Sequence, residues 1–97
     1  KRLMLDSEIA PKVTILGFPV DVVQHVLWFF GDRTYGVEPG SFRSRLMLTV
    51  SAADLENREA LRKAFPEMVR AMDFVQHETL GFEQLREQAA LALQGSS

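Results

Sequence analysis

The 97 residues suffice for one domain and one modest hydrophobic core. Apolar residues make up 46% and charged residues 25%, the balance of a folded chain rather than a disordered one, and the lack of cysteine excludes a disulfide scaffold, a thiolate zinc site and a cysteine nucleophile together. The net charge of −2 falls far short of the basic face a dedicated phosphate binder needs: residues 1–32 carry three positive and four negative side chains, residues 33–70 seven and five, and residues 71–97 one and four.

In chain order, Leu3–Leu5 and Val13–Leu16 are short β-prone stretches within a first segment, 1–18, expected as an extended or β-hairpin arm. Two strands alone are marginal in water, so the arm either lies across the rest of the chain or finds a strand in another copy. Gly17-Phe18-Pro19 punctuates the chain, and Pro19 suits a first helical turn. Val22, Val23, Val26, Leu27, Phe29 and Phe30 follow helical spacing up to a stop at Gly31. Asp21, Gln24 and His25 mark the opposite face, and Trp28 falls among them.

Asp32–Gly40 reads as a glycine- and proline-rich loop around Tyr35. A second helix is expected from about Pro39–Ser41 to Ala52 with Phe42, Leu46, Thr49/Val50 and Ala53 inward. A strand over Phe42–Val50 is the rival, disfavoured because only Thr49 and Val50 are β-branched. A third helix spans Asp54–Phe65, capped by Ser51 or Asp54, with Glu56 and Glu59 early, Arg62 and Lys63 late, and Glu59 and Lys63 as an i, i+4 pair. Pro66 breaks or kinks it. The apolar stripe nevertheless runs on through Leu61, Ala64, Phe65, Met68, Val69, Met72 and Val75, giving two helices nearly in line or one bent helix. After Thr79–Gly81, a last helix over Phe82–Leu93 turns Phe82, Leu85, Ala89, Ala92 and Leu93 inward. Residues 1–97 thus form a single domain of the mainly α class, with a compact bundle of four or five helices over 19–94.

No constellation for catalysis emerges, so the expectation is a non-enzyme. His25 and His77 are the only histidines, neither spaced for a metal, and no serine sits in a nucleophile elbow. Asp54, Glu56 and Glu59 match a helix start rather than an acid–base pair, and Gly36–Gly40 lacks the lysine of a phosphate loop. No metal and no cofactor is expected. The longest apolar run, near Val20–Phe30, is too short to span a bilayer and lacks a signal peptide's cleavage pattern, which predicts a cytoplasmic protein with no membrane partner.

Trp28 on a polar helix face is the leading binding candidate, since tryptophan is enriched in interface hot spots; cover by the arm or by the last helix is the structural alternative. Arg33, Tyr35, Arg43 and Arg45 could stack bases and neutralise phosphates, but equally could pair with Asp32 or Glu38 at the surface. Met68 and Met72, on the stripe of Leu61 and Phe65, read as core filling.

The stretch Tyr35-Gly36-Val37-Glu38-Pro39-Gly40-Ser41-Phe42, with Ala53-Asp54 and Asn57-Arg58 beyond, resembles a pattern in short uncharacterised helical proteins of actinobacterial phages and prophages. The resemblance implies a small helical phage accessory protein, acting in the host cytoplasm, and carries over no functional residue. The expected function is a protein–protein interaction module, binding another protein through Trp28, Arg33, Tyr35, Phe42 and Arg43. Its alternatives are a structural subunit that self-associates through Leu3–Leu5 and Val13–Leu16, and a weak nucleic-acid binder.

Overall fold

The computed structural model describes residues 14–94. Among these, two short strands, β1 (Thr14–Ile15) and β2 (Phe18–Pro19), precede five helices: α1 (Val20–Phe29), α2 (Ser41–Ala52), α3 (Leu55–Ala64), α4 (Pro66–His77) and α5 (Gly81–Gln94). The chain is mainly helical with a β-hairpin at its start, as the sequence predicts. Leu3–Leu5 and Val13 lie outside the described residues. The Val13–Leu16 stretch supplies β1, whose antiparallel partner here is Phe18–Pro19, with Ile15 facing Phe18. Leu16 and Gly17 join the strands at φ +56° and +85°, the two left-handed residues that a type I′ turn requires. Glycine takes that conformation freely; leucine does so at a cost of about 1–2 kcal/mol.

Pro19 leads directly into α1, whose extended φ/ψ at that residue satisfies the helix entry without a side-chain cap. Gly31, at φ +107°, ends the helix: its N–H donates to the Trp28 carbonyl at 3.0 Å, and the Asp32 N–H to the Leu27 carbonyl at 2.9 Å. These two bonds form a Schellman closure, which only a residue tolerant of positive φ permits. Val22, Val23, Val26 and Leu27 are buried, and β1, β2, α2, α4 and α5 all pack against α1.

The helix rather than the strand forms over Phe42–Val50, but its inward stripe differs from expectation. Leu46, Met47 and Val50 are buried, whereas Phe42 is 63% exposed and Thr49 faces solvent. The helix is rotated by about a quarter turn, and its sequence is ambiguous because Phe42, Leu46, Met47, Leu48 and Val50 surround the axis. Phe42 leans on Phe65, ring centroids 5.8 Å apart.

Asp54 caps α3 by accepting from the Asn57 N–H at 2.9 Å, while Ser51 donates to the Leu48 carbonyl instead. Glu59 binds Arg62, three residues on, rather than Lys63. Phe65, at φ −134° and ψ +67°, separates α3 from α4, and Pro66 is the first residue of the new helix. The two helices are not in line. Collinear, positions 58 and 73 would be about 22 Å apart, yet Arg58 and Arg62 both pair with Asp73. The chain therefore folds back at Phe65-Pro66 and sets α3 against α4.

Helix α4 supplies Met68, Val69, Ala71 and Met72 to the centre of the core, and α5 adds Leu85 and Ala89. Helix α3 has no buried residue and rests chiefly on α4. None of the described helices is long and apolar enough to cross a membrane.

Candidate functional site

The polar face of α1 is covered by the loop that follows it. The Asp32 carboxylate accepts from the N–H groups of Tyr35 (2.8 Å) and Gly36 (3.0 Å), which turns the loop back over the helix, and the Val37 N–H then donates to the Gln24 carbonyl at 2.9 Å. The Arg33 guanidinium lies 3.7 Å from the Trp28 ring centroid and donates to the Trp28 carbonyl at 2.8 Å. Trp28 is half-buried beneath this loop and arginine, an arrangement that uses indole's cation–π capacity within one chain. Tyr35 is half-buried beside α5, its hydroxyl accepting from Gln94 at 2.7 Å.

Asp32, only 6% exposed, is the hub of this loop, and its ion-pair partner is Arg86 of α5 at 2.7 Å rather than an arginine of the loop. Burial by itself raises the carboxyl's pKa, but the bonds from Arg86, Tyr35 and Gly36 outweigh it and hold Asp32 below the ordinary carboxylate value. The unfolded chain therefore takes up this proton first as pH falls. The stabilisation is complete above about pH 4 and is lost as acidification continues through the folded value. Asp32→Asn is expected to cost about 2 kcal/mol at pH 7, and the difference from wild type should shrink at pH 3. Urea titrations at the two pH values test this.

Arg43 and Phe42 stand elsewhere, on the first turn of α2. Arg43 bridges Asp21 (2.9 Å) and His25 Nδ1 (3.1 Å) on α1. Of the sequence-nominated residues, the structure joins Trp28 with Arg33, engages Tyr35 with α5, and ties Arg43 to α1. Phe42 and Arg33 remain exposed, and Phe42 makes no polar tie to another helix.

A broad concavity among the described residues was not visible in the sequence. A groove of about 920 Å³ runs between the Leu16-Gly17 turn, the start of α3 and one face of α4. Leu16, 47% exposed, and Leu55, 87% exposed, flank it, with half-buried Phe18 and Phe74 along its wall, their ring centroids 6.0 Å apart. Within it, the Asp73 carboxylate holds Arg58 and Arg62, the latter at 3.0 Å, while Arg58 also donates to the Val50 carbonyl at 3.0 Å and so closes the end of α2. Arg70 and His77 line the same groove. Glu67, Arg70, Asp73, Phe74 and His77 recur at three- and four-residue spacing, which gives α4 a second, solvent-facing stripe. Sequence reading treats this stripe as surface because nothing in it announces that α3 folds back over it.

Comparison with family models, with curated proteins and with solved structures finds no match to this chain.

Proposed function

We propose that this chain is a small helical protein–protein interaction module whose contact surface is the groove between the hairpin turn, α3 and α4. The observation that carries the reading is Leu16. The residue adopts a left-handed conformation that asparagine or glycine would adopt more cheaply, and it exposes nearly half its surface at the groove's edge. Strain combined with exposed apolar area is a cost to the folded monomer, and a partner that covers the side chain gives it a use. Leu55 extends the apolar rim on the opposite side. The fitting partner is a protein segment with apolar side chains for Leu16, Phe18 and Leu55 and a carboxylate for Arg70, which makes no ion pair among the described residues. On the phage resemblance of Tyr35–Phe42, that partner is a host or viral protein. Arg33 and Arg43 are occupied within the chain, which leaves the nucleic-acid reading with little free charge to use.

Photo-crosslinking from selected leucines tests the surface. A benzoylphenylalanine placed at position 16 or 55 should give one discrete adduct in cell extract, absent when the probe replaces Leu48 or Leu91, exposed leucines outside the groove. Equal adducts from all four positions, or none from 16 and 55, would reject the groove. An adduct of twice the chain's mass would replace the foreign partner with a second copy.

A further inference from the structure

The contact between α1 and α2 contains a proton-dependent element. Arg43 has only donors, so its approach to His25 Nδ1 at 3.1 Å requires that nitrogen to be the acceptor and His25 to be neutral, with its proton on Nε2. The same guanidinium holds Asp21 at 2.9 Å, and Asp21 precedes His25 by four residues on one face of α1. Beside Arg43, a cleft of about 250 Å³ is lined by Val22, Phe42, Leu46, Phe65 and Met68, so this arginine stands at the edge of apolar residues from α1, α2, α4 and the Phe65 link.

We propose that His25 is the pH-sensitive part of a latch between α1 and α2: protonation at Nδ1 transfers Asp21 from Arg43 to His25 and releases the first turn of α2. The proton comes from solvent and no bond other than N–H forms. Once both His25 and Arg43 are cations with only donors facing each other, Arg43 loses the Nδ1 acceptor and meets a like charge, while Asp21 gains a second cation four residues away on its own helix. Arg43 sits where the positive end of the α2 dipole already disfavours a cation, so it is the partner that leaves. The released turn carries Phe42, and the cleft beside it becomes accessible.

The charged surroundings favour one direction. On α1 the facing group is Asp21 and from α2 it is Arg43. The loop along Gln24 carries Asp32, committed to Arg86, Arg33, committed to Trp28, and exposed Glu38. Farther along α2, Arg45 is exposed, and the core elements meet α1 on the opposite face through Val22, Val23, Val26 and Leu27. Burial, then the charge of Arg43, lower the pKa of His25 from its ordinary value, with Asp21 opposing. The latch is therefore shut at neutral pH and opens below about pH 6.5. The unfolded chain protonates first, so stability also falls over this range.

Imidazole nitrogen spectra and amide hydrogen exchange at pH 7.5 and pH 5 test the proposal. The Nε2–H tautomer should be present at pH 7.5. On acidification, protection of the amides of residues 44–47, corrected for intrinsic exchange, should fall roughly fivefold or more beyond the fall at Val69 and Met72, which reports the loss of global stability alone. His25→Gln keeps an acceptor for Arg43 without a titrating charge and should abolish the fall. Arg43→Met should raise the midpoint of His25. The Nδ1–H tautomer at pH 7.5, an unchanged protection at residues 44–47, or a fall that persists in His25→Gln would each overturn the latch.

Discussion

Replacing Gly36 with alanine is expected to lower the unfolding free energy by about 3 kcal/mol, a large part of the roughly 5–15 kcal/mol that a domain of this kind possesses. A Cβ at this position would press into the Asp32 carbonyl oxygen and lie 2.7 Å from the Trp28 nitrogen and 2.8 Å from its Cα. All three are backbone atoms, so no side-chain rotation relieves the overlap. The loop must lift from α1, which breaks the Val37–Gln24 bond and strains the two N–H groups held by Asp32. Because Trp28 is the sole tryptophan and lies under this loop, its emission should shift to the red in the folded variant. Urea unfolding followed by fluorescence and by circular dichroism measures both effects. A loss below about 1 kcal/mol would show that the loop does not rest on the helix as described.

The second large effect is expected at Gly81. This buried glycine opens α5 where it crosses α4, and a Cβ there would overlap the Phe74 carbonyl oxygen and lie 3.0 Å from the Phe74 carbonyl carbon and 3.2 Å from the Val75 Cα. Gly81→Ala must push α5 off α4 and loosen the seating of Leu85 and Ala89, at about 3 kcal/mol. Gly40→Ala provides the contrast. Gly40 precedes α2 at φ −69° with nothing near its missing Cβ, so the same substitution should cost only about 0.5 kcal/mol. Thermal melts would separate the two, since on a domain of this size each kcal/mol moves the midpoint by roughly 4–8 °C. Equal melting points would contradict close packing at the α4–α5 crossing.

The parts of this fold that were legible in the sequence are those set by local chemistry. Gly31 ends α1, Asp54 starts α3 and Pro66 starts α4 because capping and proline geometry act over a few residues. The stripes of α4 and α5 were readable because their polar faces are clean. Helix α2 was not, since apolar side chains surround its axis and its neighbours choose the buried side. The cover over Trp28 left one trace, an aspartate directly after a helix-ending glycine and three residues before Tyr35-Gly36, the arrangement of a side-chain turn. Its second anchor, Arg86, lies 54 residues away and left none. The groove was hidden for the same reason: Arg58, Arg62 and Asp73 meet only because α3 folds back on α4, and spacing along one helix does not report a fold-back.

Leu16 ties the fold to the proposed function, and Leu80 supplies its internal comparison. Leu80 also adopts a left-handed conformation, φ +59°, and is 62% exposed, yet it does not line the groove. Asparagine at either position relieves the backbone, so Leu16→Asn and Leu80→Asn should each stabilise the chain by about 1 kcal/mol. Only the first removes apolar surface from the proposed contact. The decisive measurement is the affinity of the crosslinked partner, once isolated, for these two stabilised variants by titration calorimetry. A loss of roughly tenfold or more is expected for Leu16→Asn, as for a side chain in an interface centre, with an unchanged affinity for Leu80→Asn. Equal affinities for the two variants would contradict the proposed contact.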